Sequence, residues 1–159
     1  VLHFLPPHPP FLFIDSVQDI VLPDAIKNLN NTVAKDLVGS KVIANFKVTE
    51  DLEILKGHFP GNPILPGVVQ VEMMAQASAF VSLGLKGLDR KKTAVETLLV
   101  SIEESKFRKP VVPGMELEIH ATLTRCRGFM AYYACEIYHE EKKISEAKVL
   151  ARLVIKEKE

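Results

Sequence analysis

The stretch Pro66-Gly67-Val68-Val69-Gln70-Val71-Glu72-Met73-Met74-Ala75-Gln76-Ala77-Ser78-Ala79-Phe80-Val81-Ser82-Leu83-Gly84-Leu85 decides the fold. Proline suits the first turn of a helix, where an N–H is not needed, and Gly84 stands near the far end. The spacing predicts one helix over Gly67 to Leu85, about 28 Å long. Its valines, methionines, alanines, Phe80 and Leu83 occupy nearly every side. A helix apolar all round is an enclosed one.

The enclosure has to come from the rest of the chain. Val95 to Phe107, Met115 to Arg125, Phe129 to Tyr138 and Ile144 to Ile155 read as strands. In the clearest, Met115, Leu117, Ile119, Ala121 and Leu123 alternate with Glu116, Glu118, His120, Thr122 and Thr124, so one face is wet. Pro110 to Gly114, Arg127 with Gly128, and Glu140 to Lys143 are turns short enough to join antiparallel neighbours. Ahead of the helix, Phe11 to Val17 and Lys41 to Val48 read as two further strands, and Pro23 to Gly39 as a loop or short helix. Pro6, Pro7, Pro9 and Pro10 force an extended lead-in. The expected architecture is α+β, a strongly curved antiparallel sheet around one long helix, in a single domain over 1–159.

Composition narrows the function. The 159 residues carry 20 Lys plus Arg against 20 Asp plus Glu, with 47% hydrophobic residues, so the charge footprint of a nucleic-acid or membrane-surface binder is missing and charged partners must be read locally. The most apolar stretch, Ile64 to Leu85, is interrupted by Gln70, Glu72 and Gln76, against a membrane span. No basic start followed by an apolar core opens the sequence at Val1, so a soluble, cytoplasmic protein is expected. Cys126 and Cys135 lie on opposite arms of a hairpin turning near Gly128, too far apart for a disulfide, which suits a reducing compartment. Neither has the neighbours of a zinc or redox site.

Gly57-His58-Phe59-Pro60-Gly61-Asn62-Pro63-Ile64-Leu65-Pro66-Gly67 is the chemically informative segment. Its glycines and prolines make a stiff loop that delivers His58 beside a helix start whose first N–H groups lack internal partners. Gly67 lets a ligand approach that backbone, and an anion or carbonyl oxygen is favoured there. Glu72 and Gln76, at i and i+4, project from one side of a helix that otherwise reads as core. A carboxyl held away from water tends to keep its proton, and a nearby imidazole would complete an acid/base pair. The remaining histidines, His3, His8, His120 and His139, read as structural, and Met73 and Met74 as core filling.

GHFPGNPILPGVVQVEMMAQAS closely resembles the signature of the bacterial β-hydroxyacyl-(acyl carrier protein) dehydratases, hot-dog-fold enzymes of type II fatty acid synthesis. The resemblance extends to Leu5-Pro6, to Pro10 through Asp15, to Lys106 through Gly114, and to Ser145-Glu146-Ala147. It implies a hot-dog fold, a homodimer or a trimer of such dimers, and a site shared between subunits. By motif position, the catalytic residues are His58 and, from the partner chain, Glu72. The Gly67 N–H receives the thioester oxygen, with Val68, Gln76 and Phe59 also assigned to substrate binding. Glu rather than Asp at position 72 resembles the dehydrating branch rather than the one that also isomerises. The implied reaction converts a (3R)-3-hydroxyacyl thioester on acyl carrier protein to the trans-2-enoyl thioester, with no metal or redox cofactor.

Lys106, Arg108 and Lys109 form a small basic group able to receive the acidic carrier, although such charges ordinarily just solvate a strand end. The pattern departs from the family at Pro7-His8-Pro9, at Ser16 in place of Arg, at Leu98 in place of a gating Tyr, and in the long connection from Asp15 to Gly57. A catalytically idle hot-dog subunit binding carrier protein or a partner, and an acyl thioesterase, are the competing expectations.

Overall fold

The computed structural model describes residues 5, 7–24, 26, 33–84 and 93–157. Six strands form one antiparallel sheet: β1 (Ser16–Val21), β2 (Lys41–Lys47), β3 (Thr93–Phe107), β4 (Glu116–Arg127), β5 (Met130–His139) and β6 (Lys142–Glu157). Their order is β1-β2-β4-β5-β6-β3. One helix, α1 (Gly67–Ala79), packs against β2, β3, β4, β5 and β6, so the sheet surrounds it as the apolar pattern requires. This is the hot-dog arrangement.

The period-2 patterns place the core. Val42, Ala44 and Phe46 of β2 and Leu117, Ile119, Ala121 and Leu123 of β4 are buried, and Ala44 faces Ile119 across the ladder. Tyr133, Cys135 and Ile137 of β5 and Ala147, Val149 and Ala151 of β6 continue the same inner face. From Val69 to Ala79 every α1 residue except Glu72 is buried. The β4–β5 hairpin turns at Gly128, whose φ of +60° is one that glycine adopts without penalty. Cys126 sits opposite Ala131 and Cys135 opposite Ala121, and both thiols are free.

The end of the helix and the start of the first strand differ most from the sequence expectation. The predicted helix to Leu85 ends as α-helix at Ala79 and tightens into a 3₁₀ turn over Phe80–Gly84; Leu85 lies outside the described residues. The cause is local: Ser78 Oγ and Ser82 Oγ donate to the carbonyls of Ala75 and Ala79 at 2.7 and 2.6 Å, hydroxyl bonds that compete with the helical ladder. The first strand begins at Ser16, not Phe11, because the Phe13 N–H donates to the Gln76 side chain rather than to a neighbouring strand.

Pro110 to Gly114 is not a hairpin turn. β3 pairs with β6 at the far edge, and the chain after it crosses to β4 beside β2. Its backbone is used on the way: Val111 O accepts Leu65 N–H and Val48 O accepts Gly114 N–H, each at 2.8 Å. The connection therefore braces the loop that enters α1. Between β1 and β2 the structure shows a 3₁₀ turn at Ala34–Leu37. His3 and residues 27–32 fall outside the described residues.

Ile119, wholly buried on β4, tests the enclosure directly. Ile119→Ala is expected to lower unfolding stability by about 2 to 5 kcal/mol in urea titration, with both the transfer of the side chain and the cavity contributing.

Candidate active site

His58 is held by a closed loop. Its carbonyl accepts the Ile64 N–H at 2.8 Å, and the Ile64 carbonyl binds His58 Nδ1 at 2.8 Å. A carbonyl oxygen only accepts, so Nδ1 carries the hydrogen and the neutral ring keeps its lone pair on Nε2. Inside the loop, Phe59 and Asn62 exchange backbone bonds at 3.1 and 2.9 Å, and the Phe59 ring stacks on the imidazole with centroids 4.0 Å apart. These contacts fix the ring's plane and its tautomer together.

The loop runs into the start of α1. Pro66 is the N-cap and supplies no side-chain acceptor, and no acidic side chain occupies the first turn. Pro66 O accepts from Val69 and Gln70, so the Gly67 and Val68 N–H groups precede the first intrahelical bond. The need for glycine at 67 differs from the expected one. A Cβ there would lie 2.9 Å from Phe107 Cζ, so it is the Phe107 ring that approaches the helix start. His58, Gly67, Gln70, Phe107, Arg108 and Lys109 line one cleft of about 270 Å³. Val68 is 77% exposed and Phe59 51%, so both face outward from this protomer.

Glu72 lines a second cleft of about 300 Å³, with Leu5, Pro7, Ala75, Gln76, Ala79 and Leu98 among its walls. Burial raises its carboxyl above the ordinary carboxylate range, and a hydrogen bond from Gln76 partly opposes that shift. Within one protomer, therefore, His58 and Glu72 open into different clefts.

Gln76 is committed on every side. Its Nε2 donates to Glu72 Oε1 at 2.9 Å and to the Phe11 carbonyl at 3.0 Å, while its Oε1 accepts the Phe13 N–H at 2.9 Å. It lines the Glu72 cleft, but its polar atoms hold the lead-in and aim the carboxyl. A buried amide needs partners for both ends, which is the sequence signal for such a clamp. Sequence reasoning missed Phe107 and Gln70. Gln70 is buried, with Nε2 3.4 Å from the Leu65 carbonyl, and nothing in its helical position distinguishes it from core.

Two of the departures from the family pattern meet at the Glu72 cleft. Leu98 forms part of its wall, and the altered lead-in brings Pro7 to it. The long Asp15 to Gly57 connection holds β1 and β2. Lys106 and Arg108 are already paired with Glu146, at 4.0 and 2.5 Å, which weakens the basic group expected to receive a carrier. No helix among the described residues is long and apolar enough to cross a membrane.

A family model described as ApeI-like, ApeI dehydratase, matches residues 34–148. A 3-hydroxyacyl-[acyl-carrier-protein] dehydratase FabZ of Wolbachia sp. subsp. Brugia malayi is 37% identical over 153 residues, covering 96% of this chain and 93% of that one. The FabZ of Anaeromyxobacter sp. is 33% identical over 159 residues, covering 100% and 90%. Among solved structures, the dehydratase heterocomplex ApeI:P from Xenorhabdus doucetiae superposes with a TM-score of 0.70 at 19% identity, over 96% of this chain and 90% of that one, which shows the shared fold.

Two measurements probe the cleft. Gln76→Leu strands the buried Phe13 N–H and the Phe11 carbonyl, and is expected to cost on the order of 3 kcal/mol in denaturant unfolding. Because the folded chain holds the Glu72 proton to higher pH than the unfolded chain, the stability this gives is complete below about 4.5 and is lost as pH rises through the raised value. Glu72→Gln should thus gain on the wild type in thermal melts as pH climbs above about 4.5, whereas a constant difference contradicts the raised carboxyl.

Proposed function

The chain belongs to the 3-hydroxyacyl-[acyl-carrier-protein] dehydratase family, a group of hydro-lyases, and from that premise we propose that it converts a (3R)-3-hydroxyacyl thioester on acyl carrier protein to the trans-2-enoyl thioester and water in fatty acid biosynthesis. The observation that supports the reading is a pair of side chains suited to opposite roles: His58 is bound through Nδ1 to Ile64 O, which turns Nε2 toward the cleft as the acceptor of its neutral form, and burial biases Glu72 to keep its proton.

The chemistry divides accordingly. His58 Nε2 takes the proton from C2, and enolate-like charge on the thioester oxygen is met by the Gly67 and Val68 N–H groups at the positive end of α1. Glu72 gives its proton to the departing C3 hydroxyl, so water leaves and the double bond forms between C2 and C3. The imidazolium proton then returns to the Glu72 carboxylate, which restores both groups. Each acid/base partner contributes about 10² to 10⁴ in rate.

In this reading the site is completed by a second copy, since one protomer turns His58 and Glu72 into separate clefts. β3 is an edge strand that exposes Leu98, Val100 and Ile102, an apolar edge that pairing with another β3 would cover. A homodimer formed there fits that edge, and a trimer of such dimers is the larger assembly we propose. Phe59 and Val68, exposed in one protomer, are assigned to walls of the shared substrate channel. We assign the whole of 1–159 to one domain, acting in the cytoplasm without a metal or redox cofactor.

A 3-hydroxyacyl thioester assay that follows enoyl absorbance and free thiol together tests the proposal. The wild type is expected to form enoyl product, with His58→Ala and Glu72→Gln each lowering the rate at least about 10²-fold. Mixing the two variants under subunit exchange should recover up to about a quarter of wild-type activity, because half the dimers are then hybrids carrying one intact site. Thiol release without enoyl formation identifies a thioesterase instead, and carrier binding without either product an idle subunit.

A further inference from the structure

The last stretch of β3 takes a strained course on its way to the His58 cleft. Glu104 has a φ of +52°, a left-handed conformation that residues other than glycine seldom adopt. It lies in a bulge: Glu103 is opposite Lys148 and Lys106 opposite Glu146, so Glu104 and Ser105 together face the single residue Ala147. The Glu104 carboxylate pairs with Lys148 at 2.8 Å, an exposed contact of the kind that contributes little stability and gives no reason for the strain.

The extra residue decides which side chain meets the helix. Directly opposite residues share a face of the sheet, and Ser145 of β6 is wholly buried on the inner one. With the bulge, Phe107 is opposite Ser145. In the unbroken register that continues from Glu103, Lys106 would take that place and Phe107 would turn outward. The ring so delivered ends against Gly67, where a Cβ would lie 2.9 Å from Cζ and 3.0 Å from Cε1 and Cε2. The gap is too narrow for a water molecule. The first N–H groups of α1, in the same cleft as His58, are therefore walled on this side by an aromatic edge.

We propose that Phe107, turned inward by the bulge at Glu104, keeps water from the carbonyl of the bound thioester and so holds the site to dehydration rather than hydrolysis, a role that rests on the dehydratase reading. A thioester whose oxygen sits on the Gly67 and Val68 N–H groups beside an imidazole base is also arranged for hydrolysis. His58 Nε2 would take a proton from water while the water oxygen bonds to the carbonyl carbon. Collapse of that adduct breaks the C–S bond, the proton passes to sulfur, and a carboxylic acid and a thiol result. Dehydration itself releases water at C3, so the protection has to be local to the carbonyl. A ring pressed on the helix start supplies it, and leaves the N–H donors in a setting of low dielectric where they act most strongly on developing charge. Phe107 is 47% exposed, so the rest of its ring is free to lie along an entering thioester. Phe107 meets the substrate, whereas Glu104 is a positioning residue that acts through it.

The test follows enoyl absorbance and free thiol for wild type, Phe107→Leu, Phe107→Val, Phe107→Ala, a deletion of Glu104, and Lys148→Gln as the control for the lost ion pair. Each is given a 3-hydroxyacyl and a saturated hexanoyl thioester of N-acetylcysteamine, the second of which can only be hydrolysed. Thiol release from the hexanoyl thioester is expected to climb as the side chain at 107 shrinks, to at least about tenfold above wild type in Phe107→Ala, and the ratio of enoyl to thiol from the 3-hydroxyacyl substrate to fall by a similar factor. Deleting Glu104 should do the same with Phe107 present, Lys148→Gln should keep the wild-type ratio, and adding His58→Ala to Phe107→Ala should abolish the thiol. Enoyl formation that falls along the 107 series with no rise in thiol overturns the proposal, and so does thiol release that survives the loss of His58. Should Phe107→Ala not fold, the leucine and valine variants decide by the same trend. A deletion of Glu104 that folds and hydrolyses no faster than wild type overturns the part given to the bulge. If wild type forms no enoyl product the dehydratase reading falls, while the hexanoyl comparison still decides whether Phe107 excludes water.

Discussion

A helix that is apolar on every side must be enclosed, and the rest of the molecule follows from that constraint. With β2 through β6 packed around α1, any polar group on the helix has to find a partner or reach a cleft. Gln76 finds partners for both ends of its amide, Glu72 reaches a cleft, and the helix start, capped only by Pro66, is left with free donors. The same burial that stabilises the fold also biases Glu72 toward its protonated form, because a carboxyl partly withdrawn from water holds its proton.

The imidazole is set by a different device. His58 owes its orientation to a loop in which the histidine and Ile64 each bind the other's carbonyl, directly or through the ring. That loop is in turn pinned to the crossover by the Leu65 to Val111 bond. The crossover exists because β3 lies at the far edge of the sheet, so the connection to β4 must pass the helix entrance. Topology and the orientation of the His58 ring are therefore linked through a few hydrogen bonds to backbone.

Much of this was legible in the sequence, and for physical reasons. Alternation in Met115 to Thr124 gave β4, the all-round apolar stretch gave α1, and the Gly/Pro loop before it located His58. What was illegible depends on contacts distant along the chain. That glycine at 67 also makes room for Phe107, forty residues on, was hidden because nothing local reveals the contact. Phe11 to Asp15, the first part of the predicted Phe11 to Val17 strand, looked like strand because it is a short apolar run, yet the Phe13 N–H goes to Gln76. The helix end was missed because serine bonding to a preceding carbonyl is a competition that periodicity does not record. Charge pairing was equally hidden: Lys106 and Arg108 read as a free basic group until β6 set Glu146 beside them.

The proposed reaction requires a base from one protomer and an acid from its partner to meet over the same two substrate carbons. The most direct measurement is a crystal structure of the assembled protein with a non-reactive 3-hydroxyacyl thioester analogue bound. The account predicts C2 beside His58 Nε2 of one protomer, the C3 oxygen within hydrogen-bond distance of the partner subunit's Glu72, and the thioester oxygen on the Gly67 N–H. An analogue bound with the two side chains in separate cavities, or with both contributed by one chain, would contradict it.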